Sequence, residues 1–185
     1  MNIILIGFMG CGKSTLGIRL SYRMKQPYID TDKQIEHQEG RSIQEIFDTD
    51  GEAYFRSVET GVIEAFIRDG LKDHVISTGG GMPVTKDNIP LLKRLGVVAW
   101  LKCKPETVLM RLADDRTRPL LQGDDKADRV RELMEFREPF YRECADVTVE
   151  VDNKPIERIM DEIFTKSKGV WKRKKRMRYE QDTYN

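Results

Sequence analysis

The sequence lacks any apolar run near the roughly 20 residues needed to span a bilayer, so no membrane helix is expected. No basic region precedes the apolar residues at the start, so no secretory leader is expected. Cysteine is scarce and scattered: Cys11, Cys103 and Cys144 form no CxxC pair, so neither a zinc knuckle nor a disulfide framework is expected, and a reducing cytoplasm fits. No internal repeat is visible. What remains, at 185 residues with 39% hydrophobic and 34% charged residues, describes one polar, globular domain. Its net charge of +1 is unevenly spread. Lys166 to Asn185 holds eight Lys/Arg against two Asp/Glu, leaving a net of −5 on residues 1–165.

Short β-branched runs alternate with longer amphipathic stretches, the pattern of a parallel sheet with crossover helices. Strands are expected at Asn2–Ile6, Pro27–Ile29, His74–Thr78, Val97–Leu101 and Val147–Val151. Helical periodicity runs over Lys13–Met24, Gly51–Asp69, Lys86–Leu95, Pro105–Ala113, Lys126–Glu143 and Pro155–Lys166. Gly61 offers a possible break in the second of these, and Pro139 a kink within the fifth. Asp114–Asp125 has charges and turn residues without periodicity and reads as a mobile loop.

The strongest motif is Gly7–Ser14, GFMGCGKS, which fits G-x-x-x-x-G-K-[ST] between a strand and a helix. Glycines there let backbone N–H groups turn toward phosphates, and the helix that follows adds its positive end. Lys13 is placed to reach the β- and γ-phosphates and Ser14 to ligate Mg²⁺, with Thr15 on the α-phosphate side. Cys11 reads as a small residue, or else as a thiol activated by the helix end.

Guanine-nucleotide switches are excluded, because Asp48–Gly51 follows a helical pattern and Asn153–Ile156 lacks the aspartate of N-K-x-D. The chain is also too small for the accessory domains of a motor or transporter. A small kinase is left, and it needs a carboxylate near the metal, an acceptor pocket and cations over the transferring phosphoryl. Asp30 and Asp32, two apart after a strand, can supply the carboxylate or can cap a helix. Arg56 and Glu59 share a helical face with Glu52 one turn earlier, an arrangement suited to fixing a guanidinium for a substrate carboxylate. Gly79–Gly81 strips a strand end of side chains so that a ligand can lie against backbone.

In this order, GFMGCGKST, DTD, SIQEIF with GEAYFRSVE, STGGG, RPLL and REPFY resemble shikimate kinase over residues 2–165. The resemblance implies a three-layer α/β/α fold of the nucleoside-monophosphate-kinase group, with a five-stranded parallel sheet in the order 2-3-1-4-5. It implies one domain over 1–168, a lid at about 113–125 and shikimate-binding helices at about 31–70; residues 169–185 have no counterpart in the family pattern, and their basic composition reads as a disordered tail. The implied reaction is MgATP-dependent phosphorylation of the shikimate 3-hydroxyl, by a monomer.

On that resemblance Gly10, Cys11, Gly12, Lys13, Ser14 and Thr15 bind ATP, Ser14 ligates Mg²⁺, and Asp30 acts on the metal through water. Asp32 meets the substrate hydroxyls, Arg56 and Arg137 hold the carboxylate, and Gly80 offers backbone. Phe47 and Phe55 line the pocket. Arg118 closes over ATP with Arg116 nearby, and Lys154 lies near the adenine. A gluconate-kinase-like enzyme is the nearest alternative. Absence of a D-G-[FY]-P-R-like segment and of a zinc lid disfavours a nucleoside-monophosphate kinase. In a different class, the run KRKKRMR at Lys172–Arg178 would bind nucleic acid.

Overall fold

In the computed structural model, which describes residues 1–113 and 125–183, five parallel strands form one sheet in the order β2-β3-β1-β4-β5. These are β1 (Ile3–Ile6), β2 (Tyr28–Asp30), β3 (Val75–Ser77), β4 (Val97–Lys102) and β5 (Val147–Glu150). The helices are α1 (Lys13–Met24), α2 (Thr31–Glu39), α3 (Ile43–Thr49), α4 (Gly51–Arg68), α5 (Asn88–Leu95), α6 (Pro105–Arg111), α7 (Lys126–Cys144) and α8 (Ile156–Thr183). A 3₁₀ turn at Met82–Val84 follows β3.

Strand alternation explains the layers. Ile3 and Leu5 face a cluster with Leu16, Leu20, Val108, Ile159 and Ile163, drawn from α1, α6 and α8. Ile4 and Ile6 face Ile63, Ile89, Leu92, Trp100 and Tyr141, where α4, α5 and α7 pack. Both faces of β1 are therefore apolar, as a central parallel strand requires. A third, small cluster of Ile35, Ile46, Phe55 and Val62 ties α2, α3 and α4 together. Asp30 caps α2, and a reciprocal capping box between Ser42 and Glu45 starts α3.

Register brings the strand ends together. Ile3 pairs with both Val75 and Val97, and Asp30 pairs with Ser77, so the segments after β1, β2 and β3 emerge on one edge. β1 and β3 are neighbours, yet their chains leave toward opposite sides of the sheet. That is where open α/β sheets form their ligand crevice.

Some expectations need adjustment. α4 runs unbroken through Gly61, whose absent side chain faces open space, while Pro139 lies within α7 as its pattern suggested. The expected lid, with Arg116 and Arg118, falls largely on residues 114–124, outside the described residues.

The basic tail expected to be disordered from 169 is instead the end of α8 as far as Thr183. Ile163, Ser167, Val170 and Lys174 recur at helical spacing and form its inner stripe. Ile163, Ser167 and Val170 are buried, and Trp171 packs against the core. Lys174 Nζ donates to Asp146 Oδ2 at 2.6 Å, Gly96 O at 3.0 Å and Lys93 O at 3.3 Å. Apolar anchors and a satisfied ammonium thus order a segment whose composition alone suggested solvation.

Candidate active site

The phosphate loop connects β1 to α1, and its backbone needs glycine. Gly7, Gly10 and Gly12 have φ of 141°, 75° and 94°, and a Cβ on Gly7 would lie 2.7 Å from Leu101 O. Lys13 Nζ donates to Gly7 O at 2.9 Å and to Phe8 O at 3.1 Å, curling its ammonium over the loop. Cys11 is fully buried and packs in the same cluster as Cys103. A hydrogen bond from the Cys103 thiol and the charge of Lys13 draw its pKa down against the effect of burial.

Asp30 sits across from the loop. Its Oδ2 accepts from Ser14 Oγ at 3.2 Å and from Tyr28 Oη at 3.1 Å, while Oδ1 accepts from the Asp32 N–H at 3.1 Å. Capping and site geometry are therefore one arrangement: α2 orients the carboxylate that meets the P-loop serine. Gly79 N–H donates to Thr31 Oγ1 at 3.0 Å, tying the triple glycine to α2.

The glycines after β3 are close-approach positions. A Cβ at Gly79 would lie 2.5 Å from Asp32 Oδ1 and 3.0 Å from Glu59 Oε1, and one at Gly81 would collide with the Arg56 guanidinium. Tyr141, inward-facing on α7, donates to Gly80 O at 2.6 Å and fixes the middle of this turn. Arg137, one helical turn before Tyr141, brings its Nη1 to 3.4 Å from a Cβ position on Gly80, with its guanidinium over the Phe8 ring.

Arg56 is held as its spacing suggested. Nη1 donates to Glu59 Oε2 at 2.6 Å, Nη2 and Nε to Glu52 Oε1 at 2.8 and 3.2 Å, and the guanidinium lies over the Phe55 ring. Phe55 and Phe47 are in contact, with ring centroids 4.8 Å apart. Glu59 is completely buried, and its Oε1 has no hydrogen-bond partner among the described residues. Burial raises its pKa to about 7 against the attraction of Arg56, with the negative charge of Asp32 adding to the rise.

A cleft of about 540 Å³ is lined by the loop residues Gly10–Thr15 together with Asp30, Asp32, Gly80 and Arg137, whereas Arg56, Phe47 and Phe55 do not line it. Lys154 reaches its rim, where Nζ is bonded to Glu162 Oε2 at 2.8 Å. Arg111 also lines the cleft and donates to Gly10 O at 3.1 Å. Sequence reasoning missed Arg111, because a basic residue ending a helix looks like ordinary complement to the helix dipole. Tyr28 carried no motif signal either, and Tyr141, the last residue of REPFY, was given no role. Arg116 and Arg118 fall outside the described residues.

Comparison with known proteins agrees with this geometry. The family model for shikimate kinase matches residues 9–168. A curated shikimate kinase of Caldanaerobacter subterraneus subsp. tengcongensis is 44% identical over 171 residues, covering 91% of this chain and 98% of the relative. A solved shikimate kinase of Acinetobacter baumannii, in complex with shikimate, superposes with a TM-score of 0.81 at 36% identity, over 88% of this chain and 90% of that one. Likeness to a gluconokinase of Sinorhizobium meliloti 1021, at 14% identity and a TM-score of 0.54 over 93% of this chain and 96% of that one, reflects the shared fold alone. The gluconate alternative loses its ground. Matched along most of its length by the family model and by a curated relative, the chain belongs to the shikimate kinase family.

Proposed function

We propose that this protein transfers the γ-phosphoryl group of ATP to the 3-hydroxyl of shikimate, giving shikimate 3-phosphate on the route to chorismate and the aromatic amino acids. One observation supports the reading: a single cleft is lined both by the phosphate loop and by Asp32, Gly80 and Arg137. Donor and acceptor can then meet in line, and positioning supplies much of the catalysis in phosphoryl transfer.

At the donor end, backbone N–H groups of Gly10–Thr15 cradle the phosphates. Lys13 exchanges its two loop carbonyls for phosphate oxygens. Among the described residues no group of three or more His, Cys, Asp or Glu could hold a metal by itself. That suits Mg²⁺, which is commonly bound by few protein oxygens together with substrate phosphates. Ser14 would ligate it, and Asp30 would accept from its bound water. When bound, the ion neutralises charge on the β- and γ-phosphates.

At the acceptor end Arg56 and Arg137 grip the carboxylate, and Glu52 and Glu59 fix the angle of Arg56. Gly80 gives backbone contacts, and Asp32 orients the attacking hydroxyl and accepts its proton as the new P–O bond forms and the bond to ADP breaks. Arg118, with Arg116 beside it, would cover the phosphates and exclude water. Lys154 and Arg111 would border the adenine side. No described helix is long and apolar enough to cross a membrane. A cytoplasmic monomer is our reading, and sedimentation tests the monomer.

A coupled ADP-release assay with shikimate and gluconate side by side tests the proposal. Turnover of shikimate with gluconate at background is expected; gluconate turnover without shikimate turnover overturns it.

A further inference from the structure

Asp30 is held by more than the P-loop serine and the helix it caps. Tyr28 lies two residues earlier on the same strand, so strand alternation puts both side chains on one face. The Tyr28 hydroxyl donates to Asp30 Oδ2 at 3.1 Å, the oxygen that Ser14 also meets at 3.2 Å. The phenol ring fits there because position 17 on α1 has no side chain. A Cβ at Gly17 would lie 2.5 Å from Tyr28 Cε2 and 2.9 Å from Ser77 Oγ. A mid-helix glycine costs about 1 kcal/mol relative to alanine. Here it leaves the space that the ring fills beneath the phosphate-loop helix.

We infer that Tyr28 is a positioning residue for the metal side of the donor site, holding Asp30 Oδ2 toward Ser14 through its hydroxyl, with Gly17 making room for its ring. This rests on the reading of Ser14 and Asp30 proposed above. The Ser14 hydroxyl gives its proton to Asp30 and so keeps its lone pairs for a cation. A serine hydroxyl rotates freely, however, and cannot by itself fix a carboxylate. Tyr28 is wedged between α1 and the strand layer, and its hydroxyl is set by the ring plane. With Oδ1 tied to the first turn of α2, the second anchor on Oδ2 stops the carboxylate from turning about its terminal bond. Partners beyond the ligands themselves commonly set metal affinity in this way.

The test compares wild type with Tyr28→Phe, Gly17→Ala and Asp30→Asn. Mn²⁺ affinity of the enzyme–ADP complex is read by electron paramagnetic resonance, alongside the Mg²⁺ concentration for half-maximal rate and the KM for shikimate. Asp30→Asn should weaken Mn²⁺ binding about 10- to 100-fold, as loss of an outer-shell partner does. Tyr28→Phe should weaken it about 3- to 10-fold, with a matching rise in the Mg²⁺ requirement and little change in KM for shikimate. Gly17→Ala should do the same by displacing the ring. Wild-type Mn²⁺ affinity in Tyr28→Phe, with Asp30→Asn weakened, overturns the inference while leaving the metal reading intact. Wild-type affinity in Asp30→Asn overturns the metal reading itself. Equal losses in Mn²⁺ and shikimate affinity with a lowered melting temperature would make Tyr28 a folding residue, which also overturns the inference.

Discussion

Replacing Glu59 by glutamine separates what this residue does for binding from what it does to stability. The side chain is fully buried, one oxygen bonded to Arg56 and the other without a partner among the described residues. Burial lifts its pKa from 4.5 to about 7. The sign follows from proton linkage. Between pH 4.5 and 7 the folded protein keeps a proton on Glu59 that the unfolded chain has released, so this residue's contribution to stability falls as pH rises through that window. At 1.36 kcal/mol per pH unit, the loss amounts to about 3 kcal/mol by pH 8. Glutamine, which cannot ionise, should be spared it. Denaturant midpoints measured from pH 5 to 8 should therefore show wild type losing up to about 3 kcal/mol relative to Glu59→Gln.

Binding should move the other way. An ionised Glu59 holds Arg56 more firmly, so the wild-type KM for shikimate should fall as pH rises through 7. Glu59→Gln should hold a KM raised about 10-fold that no longer depends on pH in that range, since one charge-assisted bond is lost. Parallel stability curves for the two proteins, or a pH-dependent KM that survives in Glu59→Gln, would refute the assignment.

Three further outcomes are expected. Gly79→Ala places a methyl 2.5 Å from Asp32 Oδ1 and 3.0 Å from Glu59 Oε1, so kcat/KM for shikimate should fall at least about 100-fold while ADP affinity, read by calorimetry, stays near wild type. Lys13→Ala removes the cation above the loop and should lower kcat about 100- to 1,000-fold in the steady-state assay. Lys174→Met deletes an ammonium bonded to Asp146 and two carbonyls, and should lower stability by about 1–3 kcal/mol in urea titration, leaving both KM values near wild type because the contact lies away from the cleft.

How much was legible beforehand depends on how local each determinant is. The P-loop and α1 are legible because their signal lies within one stretch: glycines where φ is positive, then lysine and serine at the helix start. The Arg56–Glu59 contact is legible because i,i+3 spacing on a helix is itself a distance. Asp30 and Asp32 were legible only as alternatives, capping or chemistry, and the structure gives Asp30 both contacts at once. The basic run after Lys168 misled, because charge composition outweighed the few apolar anchors whose partners lie far away in the chain.

By itself the sequence determined the class of chemistry: a phosphate loop, an oriented guanidinium and a side-chain-free strand end, each encoded within a few neighbouring residues. Only tertiary structure decided which groups meet. Tyr28 reaches Asp30 because Gly17 leaves a space on another element, and Tyr141 fixes Gly80 from 61 residues away. Residues of α2, α4 and α7 meet around the triple glycine because β1 and β3 are neighbours whose chains diverge. Such contacts are set by packing across a parallel sheet, and packing joins positions that no local pattern in the sequence brings together.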